Sequence, residues 1–212
     1  MQTEIVSFTS NPKLSLFKAI NALQQNSIFV FPTDTVYGIG CLYDNIDGVQ
    51  EIFKLKTRSF NKPLSAYFSN IEMAMDYIQE PNFLLKIIAD QYLPGGLTIV
   101  VPKNNKINNL ITGNAQTIGI RIPKNNFVLE LVEKIGKPLV GTSANISNQP
   151  SAKTSKETAD YFNGLLPLII SDDQSIQGIE STVISLNNSD LKLLREGAIP
   201  FKKIQDYIKS FQ

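Results

Sequence analysis

The sequence predicts one α/β domain built on a mixed β-sheet. A chain of 212 residues, 42% of them hydrophobic and 18% charged, is typical of one globular domain with a buried core. Strand-like and helix-like segments alternate along the whole chain, which favours a sheet covered by helices. No internal repeat, low-complexity tract or long linker interrupts this alternation. We therefore expect a single domain over residues 1–212.

Apolar spacing and capping residues predict the helices. Pro12 suits a first helical turn, and apolar residues recur at helical spacing from Leu14 to Leu23. Thr154 and Glu157 stand in a capping-box pattern that opens another helix. Further helices are expected from about residue 46, over 70–78, 82–92 and 126–135, and from Phe201.

Short runs of β-branched and aromatic residues predict the strands. Residues 97–101 resemble a fully buried strand, and residues 117–122 alternate toward Arg121. Residues 31–40 are expected to leave a strand end and continue as a loop rich in hydroxyl groups and glycine. The other strands are expected over 5–8, 27–31, 64–68, 138–142, 165–170, 181–186 and 191–194.

The composition excludes several classes of enzyme. The chain contains no histidine and one cysteine, Cys41. These counts exclude Ser-His-Asp and Cys-His nucleophiles, imidazole bases, disulfides and structural zinc sites. An enzyme of this composition would use carboxylates, hydroxyls, lysine, arginine, tyrosine and backbone amides, with any metal carried by a substrate. No signal-peptide pattern and no apolar run near ~20 residues is present, so we expect a cytoplasmic protein without membrane partners.

Basic residues are clustered although the net charge is only +1. Residues 52–71 carry four basic side chains and no acid, whereas 157–190 carry six acids and no base. Only three of the 20 basic residues are arginines, namely Arg58, Arg121 and Arg195. Arginine presents a planar, permanently charged fork that suits phosphate and carboxylate. We interpret the three as candidate anion-binding residues, with structural salt bridges as the alternative.

Three common nucleotide-binding and hydrolase motifs are incomplete here. Tyr43 stands where a G-x-G-x-x-G motif starting at Gly38 needs its third glycine, and no P-loop motif occurs. Gly141 and Ser143 begin a G-x-S-x-G pattern, but Asn145 replaces the second glycine. A Rossmann dinucleotide site and a serine hydrolase are therefore disfavoured.

Other segments carry polar chemistry at predicted strand and helix ends. Lys56 and Arg58 follow a predicted helix, where they could clamp a triphosphate or merely balance the helix dipole. Ser143 and Asn145 can present their side chains together, and their segment, 142–147, is expected to expose amides as a phosphate nest. Asp34 could be a base or a turn residue, and Arg195 is expected at the edge of the sheet.

Taken in chain order, these segments resemble one family. The runs FPTDTVYGIG, KTR, KPLSAYF, LPGGLTIVV, IGIRIP, PLVGTSANISNQPSA, GIESTVISL and LLREGAI are similar to those of the YrdC/TsaC family, the threonylcarbamoyl-AMP synthases. The K-x-R and S-x-N pairs that mark the family stand at Lys56/Arg58 and Ser143/Asn145. The resemblance runs from about residue 13 to 199 and is to the single-domain form.

The resemblance implies a fold and a reaction. The fold is a twisted mixed β-sheet flanked by helices around a concave basic cavity. The reaction joins L-threonine, bicarbonate and ATP, with Mg²⁺ carried by ATP, into threonylcarbamoyl-adenylate and pyrophosphate. A separate tRNA-modifying threonylcarbamoyl transferase complex then acts downstream. Because the carbamate of threonine attacks phosphorus directly, no covalent nucleophile is needed.

The resemblance also implies roles for individual residues, and no metal ligand among them. Lys56 and Arg58 are implied as catalytic residues. Family members often carry a polar residue or histidine where this chain has Tyr67. Implied ATP-binding residues are Lys56, Arg58, Lys62, Ser143, Asn145, Ser151 and Arg195, and implied threonine-binding residues are Thr33, Thr35, Tyr67, Thr117, Arg121 and Ser181.

Two other functions stay open at this point. A YciO-like protein of the same fold would bind RNA or a nucleotide, and weak RNA binding through the basic cavity would show steep salt dependence. A related carbamoyl-adenylate chemistry occurs in a domain of hydrogenase-maturation carbamoyltransferases, where it normally sits inside a much larger chain.

Overall fold

The computed structural model describes residues 2–188 and 190–211. In this part of the chain, strands and helices interleave as predicted, although some strands follow one another without a helix between them. The strands are β1 (Glu4–Ser7), β2 (Phe29–Phe31), β3 (Gly38–Leu42), β4 (Ser65–Tyr67), β5 (Leu97–Pro102), β6 (Thr117–Arg121), β7 (Leu139–Ser143), β8 (Leu168–Ser171), β9 (Thr182–Asn187) and β10 (Asp190–Arg195). The helices are α1 (Pro12–Gln24), α2 (Ile46–Leu55), α3 (Ile71–Met75), α4 (Phe83–Tyr92), α5 (Asn126–Ile135), α6 (Ser155–Phe162) and α7 (Phe201–Lys209).

The strands form one mixed sheet, which confirms the predicted fold class. Their order is β1-β8-β2-β3-β7-β4-β6-β5-β9-β10 in a 10-stranded sheet. Strand β8 pairs in parallel with both β1 and β2, and β4–β6 and β5–β9 are also parallel pairs. The remaining pairs are antiparallel, including β9–β10 at one edge. Arg195 ends β10, so its predicted place at the sheet edge is confirmed.

Asparagine side chains begin most of the helices. Each accepts a hydrogen bond from a backbone N–H of the first turn, which removes an unsatisfied donor and stabilises the helix by about 1 kcal/mol. Thr154 and Glu157 form both hydrogen bonds of the predicted capping box. The asparagine caps are Asn11, Asn45, Asn70, Asn82 and Asn125.

Alternating strand side chains build a core on each face of the sheet. Phe29 and Phe31 of β2 pack toward α1 and α5, whereas Val30 between them packs into the larger core with α2, α4 and α7. Leu139 and Val140 of β7 divide in the same way. In the described part of the chain, no helix is both long and apolar enough to span a bilayer.

The predicted loop over residues 31–40 was too long, because Gly38–Leu42 is strand β3. A Cβ atom on Gly38 would lie 2.8 Å from Cε2 of Phe31, and one on Gly40 would lie 2.6 Å from the carbonyl oxygen of Val140. Only glycine permits these approaches. Glycine also has a low strand propensity, so the residue that packing requires conceals the strand in the sequence.

Two other predicted elements differ in extent. The helix expected over 70–78 is the single short helix α3, which ends at Met75. The strand expected over 165–170 begins only at Leu168 in β8. Gly164 has φ of +79° and belongs to a turn that follows α6, so the chain is still turning at Leu165.

Candidate functional site

All three arginines of the chain meet at one cavity of about 360 Å³. The cavity lies on one face of the sheet, against strands β4 to β7, β9 and β10 and the loop after β2. Nine of the residues expected at the ligand site line it. These are Thr33, Thr35, Arg58, Tyr67, Thr117, Arg121, Ser143, Ser181 and Arg195.

Arg121 lies at the end of β6 in a buried ion pair. Its Nη2 donates to Oδ1 of Asp34 at 2.5 Å and to Oγ1 of Thr35 at 3.2 Å, and its Nη1 donates to the carbonyl oxygen of Leu97 at 3.2 Å. Burial lowers the pKa of Arg121, and the Asp34 carboxylate opposes this shift. Asp34, whose role the sequence left open, holds the guanidinium group against the cavity wall.

Several hydroxyl groups of the loop after β2 form hydrogen bonds within the loop or to residues 172–173. Thr33 Oγ1 donates to the carbonyl oxygen of Val36 at 2.6 Å and accepts the Thr35 amide N–H at 3.1 Å. The Tyr37 hydroxyl donates to Asp173 at 2.5 Å and accepts the amide of Asp172 at 2.9 Å. Burial and the bond to Asp173 raise the pKa of Tyr37. Thr33 and Thr35 thus form a hydroxyl-bearing wall of the cavity that these hydrogen bonds hold in place.

Arg195 and Glu180 form another part of the cavity lining. Nε and Nη2 of Arg195 both donate to the carbonyl oxygen of Ser181, at 3.1 and 2.8 Å, and Nη1 contacts the Glu180 carboxylate. The other Glu180 oxygen accepts the Ser151 hydroxyl at 2.5 Å. Ser151, expected at the ATP site, therefore reaches the cavity through Glu180. The Ser181 hydroxyl lies 2.9 Å from that of Thr98.

Glu180 is the charged cavity residue that sequence reasoning missed, and the hydroxyl residues Ser65 and Thr98 were missed as well. Glu180 lies inside the segment GIESTV, from which the hydroxyl residues alone were singled out. Its partners Ser151 and Arg195 are distant in sequence, so the bridge that it forms depends on the tertiary fold. The resemblance of the segment as a whole was the available signal.

Lys56 and Arg58 point to different places. Lys56 caps α2 and is 1% exposed, and its Nζ donates to the carbonyl oxygens of Ser143 and Asn145, each at 2.5 Å. Thr57 has φ of +50°, which turns the chain so that Arg58 reaches the cavity wall. Arg58 donates to the carbonyl oxygens of Lys62 at 3.2 Å and of Pro63 at 2.9 Å. Burial lowers the pKa of Lys56 to about 7, and the nearby Arg58 charge adds to this shift.

The Lys62 side chain is exposed and does not line the cavity. Its contribution near the site is its backbone carbonyl, which accepts a hydrogen bond from Arg58. The Arg58 guanidinium that donates this bond is partly buried, and burial lowers its pKa.

Ser143 and Asn145 lie together, as their spacing predicted. The Ser143 hydroxyl donates to Oδ1 of Asn145 at 2.7 Å, and Ser143 lines the cavity whereas Asn145 is buried behind it. The expectation of exposed amides over 142–147 is wrong for Ala144 and Ser147. Their N–H groups donate to the carbonyl oxygens of Tyr37 at 2.7 Å and of Lys56 at 2.8 Å.

In the part of the chain that the structure describes, carboxylates do not cluster in a way that would hold a metal. Within residues 2–188 and 190–211, no group of at least three histidine, cysteine, aspartate or glutamate side chains could hold an ion. Among the described residues that line the cavity, Glu180 is the one carboxylate.

A sequence profile of the Sua5/YciO/YrdC family, described as Telomere recombination, matches residues 21–197. The chain belongs to this family. The resemblance to the YrdC/TsaC family stated above is thereby confirmed.

Curated relatives of the Sua5/YciO/YrdC chain include three threonylcarbamoyl-AMP synthases. The Pyrococcus abyssi protein is 33% identical over 190 residues, which are 90% of this chain and 56% of the relative. The Bacillus subtilis protein is 30% identical over 201 residues, 94% of this chain and 58% of the relative. The chain thus spans little more than half of these two relatives. The Vibrio parahaemolyticus protein is 30% identical over 182 residues, 85% of this chain and 97% of the relative.

Solved structures of the family share the fold. The crystal structure of P. abyssi Sua5 complexed with L-threonine superposes with a TM-score of 0.90 at 30% identity, over 97% of this chain and 61% of that chain. Escherichia coli YciO superposes with a TM-score of 0.84 over 95% of this chain and 99% of that chain. Because its identity is 19%, YciO supports the fold alone.

Proposed function

We propose that this chain is a threonylcarbamoyl-AMP synthase, which makes threonylcarbamoyl-adenylate and pyrophosphate from L-threonine, bicarbonate and ATP. The observation that carries the proposal is the meeting of Arg58, Arg121 and Arg195 at one cavity walled by hydroxyl groups. All three proposed substrates are anions or carry a carboxylate, and arginine binds such groups well. The names of the curated relatives and the threonine-bound P. abyssi structure support the proposal.

The threonine carboxylate is assigned to Arg121. This guanidinium is held by Asp34, Thr35 and Leu97 and retains further N–H groups for a ligand. Tyr67 lines the same part of the cavity, near Arg121 and Arg195. The remaining threonine-contact candidates are Thr33, Thr35, Thr117 and Ser181.

The phosphates of ATP are assigned to the other two arginines. Arg58 lines the cavity from the segment before β4, Ser143 lines it from β7, and Arg195 lines it from β10, which four strands separate from β7 in the sheet. Mg²⁺ would enter with ATP as part of the substrate. Glu180 is already bonded to Arg195 and Ser151, so this donor set fits an ion held mainly by phosphate oxygens and water.

The chemistry divides into two steps that require no protein nucleophile. The threonine amine first attacks the bicarbonate carbon, and water leaves as the N–C bond of the carbamate forms. A carbamate oxygen then attacks the α-phosphorus of ATP in line, and the bond to the departing pyrophosphate breaks. Arginine side chains stabilise the charge that develops on the phosphoryl oxygens, while the cavity orients the reactants. A chain without histidine can perform both steps.

Several further expectations accompany this function. We propose that residues 1–212 act as one domain in the cytoplasm and that a separate transferase complex moves the threonylcarbamoyl group to tRNA. Weak RNA binding by the cavity is a separate question, which a salt series would address.

A pyrophosphate-release assay tests the proposal. Purified protein is incubated with MgATP, and release is measured with threonine and bicarbonate together, with each alone, and with serine in place of threonine. We expect release that needs both co-substrates and an adenylate of the correct mass in mass spectrometry. Folded protein that releases no pyrophosphate under these conditions would refute the synthase assignment.

A further inference from the structure

The ammonium group of Lys56 is fully engaged inside the protein. It donates to the carbonyl oxygens of Ser143 and Asn145, each at 2.5 Å, and to Oδ1 of Asn145 at 3.1 Å. Each N–H of the ammonium group then has a protein acceptor. The side chain is 1% exposed and is absent from the cavity lining. A phosphate could reach this group only if one of these bonds broke.

Asn145 is engaged in the same way. Its Oδ1 accepts from Lys56 at 3.1 Å and from the Ser143 hydroxyl at 2.7 Å. Its Nδ2 donates to the carbonyl oxygens of Ile146 at 2.9 Å and Gln149 at 2.8 Å. The residue is 7% exposed, and the cavity does not include it. Its hydrogen bonds therefore fold the turn over residues 143–149.

The backbone of Lys56 adds a further attachment to the same turn. Its carbonyl oxygen accepts the Ser147 amide at 2.8 Å. The end of helix α2 is thereby bonded to both ends of the 143–147 segment. Lys56 belongs to the K-x-R pair and Asn145 to the S-x-N pair. The other members of these pairs, Arg58 and Ser143, line the cavity.

We infer that the two residues of each pair, K-x-R and S-x-N, have different roles. Arg58 and Ser143 face the ligand, whereas Lys56 and Asn145 form a buried clasp that holds the 143–149 turn and so positions Ser143. Lys56 and Asn145 are positioning residues in this assignment. It deepens the ATP-binding part of the function proposed above and rests on it.

Lys56→Met and Asn145→Leu test the clasp, because each removes its polar contacts while keeping a side chain of similar shape. Lys54→Met is the matched control, since Lys54 is an exposed lysine of the same helix. ATP affinity is measured by calorimetry without threonine, and hydrogen exchange is followed in peptides covering 143–149. Each clasp variant should weaken ATP at least ~10-fold per folded molecule and accelerate exchange in this turn. Lys54→Met should change neither.

A double-mutant cycle separates a clasp from direct contact. If Lys56 and Asn145 act as one unit, the double variant should bind ATP no more weakly than the worse single variant. If Lys56 contacts phosphate directly, the fold-losses of ATP affinity in the two single variants should multiply in the double variant. Exchange at 143–149 should then be unchanged in Lys56→Met. That result would overturn the clasp. So would a lowered Tm with unchanged ATP affinity, because it would indicate a purely structural role.

The exchange measurement keeps this inference separate from the proposed function. If the wild-type protein binds no ATP, the proposed function fails, but the clasp can still be tested. Faster exchange at 143–149 in the clasp variants then supports the clasp, and unchanged exchange overturns it. If Lys56→Met does not fold, Asn145→Asp replaces it. This variant keeps the oxygen acceptor for Lys56 but loses the amide donors to Ile146 and Gln149. The same acceleration of exchange is expected, and its absence would overturn the assignment of Asn145 to the clasp.

Discussion

The carboxylate of Asp34 lies 2.5 Å from the guanidinium of Arg121, and the two side chains are only 4% and 3% exposed. Breaking a buried pair of this kind is strongly destabilising, because removing one partner leaves the other charge without water or a counter-charge. The pair also sets the direction of Arg121 within the cavity wall. Asp34 is therefore a positioning residue for the arginine that we assign to the threonine carboxylate.

Asp34→Asn should lower the free energy of unfolding by about 3 kcal/mol or more, since it leaves Arg121 charged and unneutralised. Urea unfolding followed by circular dichroism measures this loss. The matched control is Asp44→Asn, which breaks the exposed ion pair to Lys137. That change should cost less than about 1 kcal/mol. Equal losses in the two variants would contradict a special role for the buried pair.

Arg121→Lys should impair the use of threonine more than the use of ATP. Lysine keeps the charge but loses the planar fork, so it cannot hold Asp34 and a substrate carboxylate in the same geometry. Steady-state kinetics with each substrate varied in turn provide the comparison. An equal rise in KM for threonine and for ATP would reject the carboxylate assignment.

The arginines show what could be predicted from the sequence alone. Arginine is rare in this lysine-rich chain, and all three arginines line one cavity, where Arg121 and Arg195 also form the salt bridges that were the alternative interpretation. The contrast between Lys56 and Arg58 could not be predicted in this way. It depends on φ of +50° at Thr57, a conformation that threonine rarely adopts and that its neighbours in sequence do not announce.

Long-range pairing accounts for the other omissions. Helices with asparagine caps and strands of β-branched residues were predictable because their signals are local. The role of Glu180, and the choice between base and turn residue for Asp34, could not be settled locally, because their partners Arg195 and Arg121 arrive through sheet topology. Strand β3 was missed because its glycines serve packing against Phe31 and Val140.

Arg58→Ala should reduce kcat/KM for adenylate formation by an amount equivalent to at least ~2 kcal/mol, if its guanidinium stabilises charge on the transferring phosphoryl group. The same assay of Lys54→Ala, an exposed lysine four residues earlier, controls for loss of positive charge near the site. Unchanged kinetics in Arg58→Ala would remove this residue from the phosphate site.

Binding of ATP should be coupled to proton uptake at Lys56. Burial, with help from the Arg58 charge and against that of Glu180, lowers the pKa of Lys56 to about 7. At pH 8 the free protein therefore holds this amine mostly neutral, with two N–H groups for its three acceptors, and an incoming triphosphate raises its pKa by favouring the charged form that makes all three hydrogen bonds. ATP affinity should fall as the pH rises above about 7, since the complex then binds more protons than the free protein.

Calorimetry at pH 8 in two buffers of different ionisation enthalpy measures this uptake. Wild-type protein and Lys54→Met should take up a proton on binding ATP, and Lys56→Met should not.

The same lowered pKa of Lys56 has a consequence for the stability of the free protein. Because the unfolded chain holds the Lys56 proton up to pH about 10.5 and the folded one releases it near 7, the free energy of unfolding should rise with pH between these values, relative to Lys56→Met. If the stability and the ATP affinity of the wild-type protein change with pH in the same way as those of Lys56→Met, Lys56 does not titrate in this range.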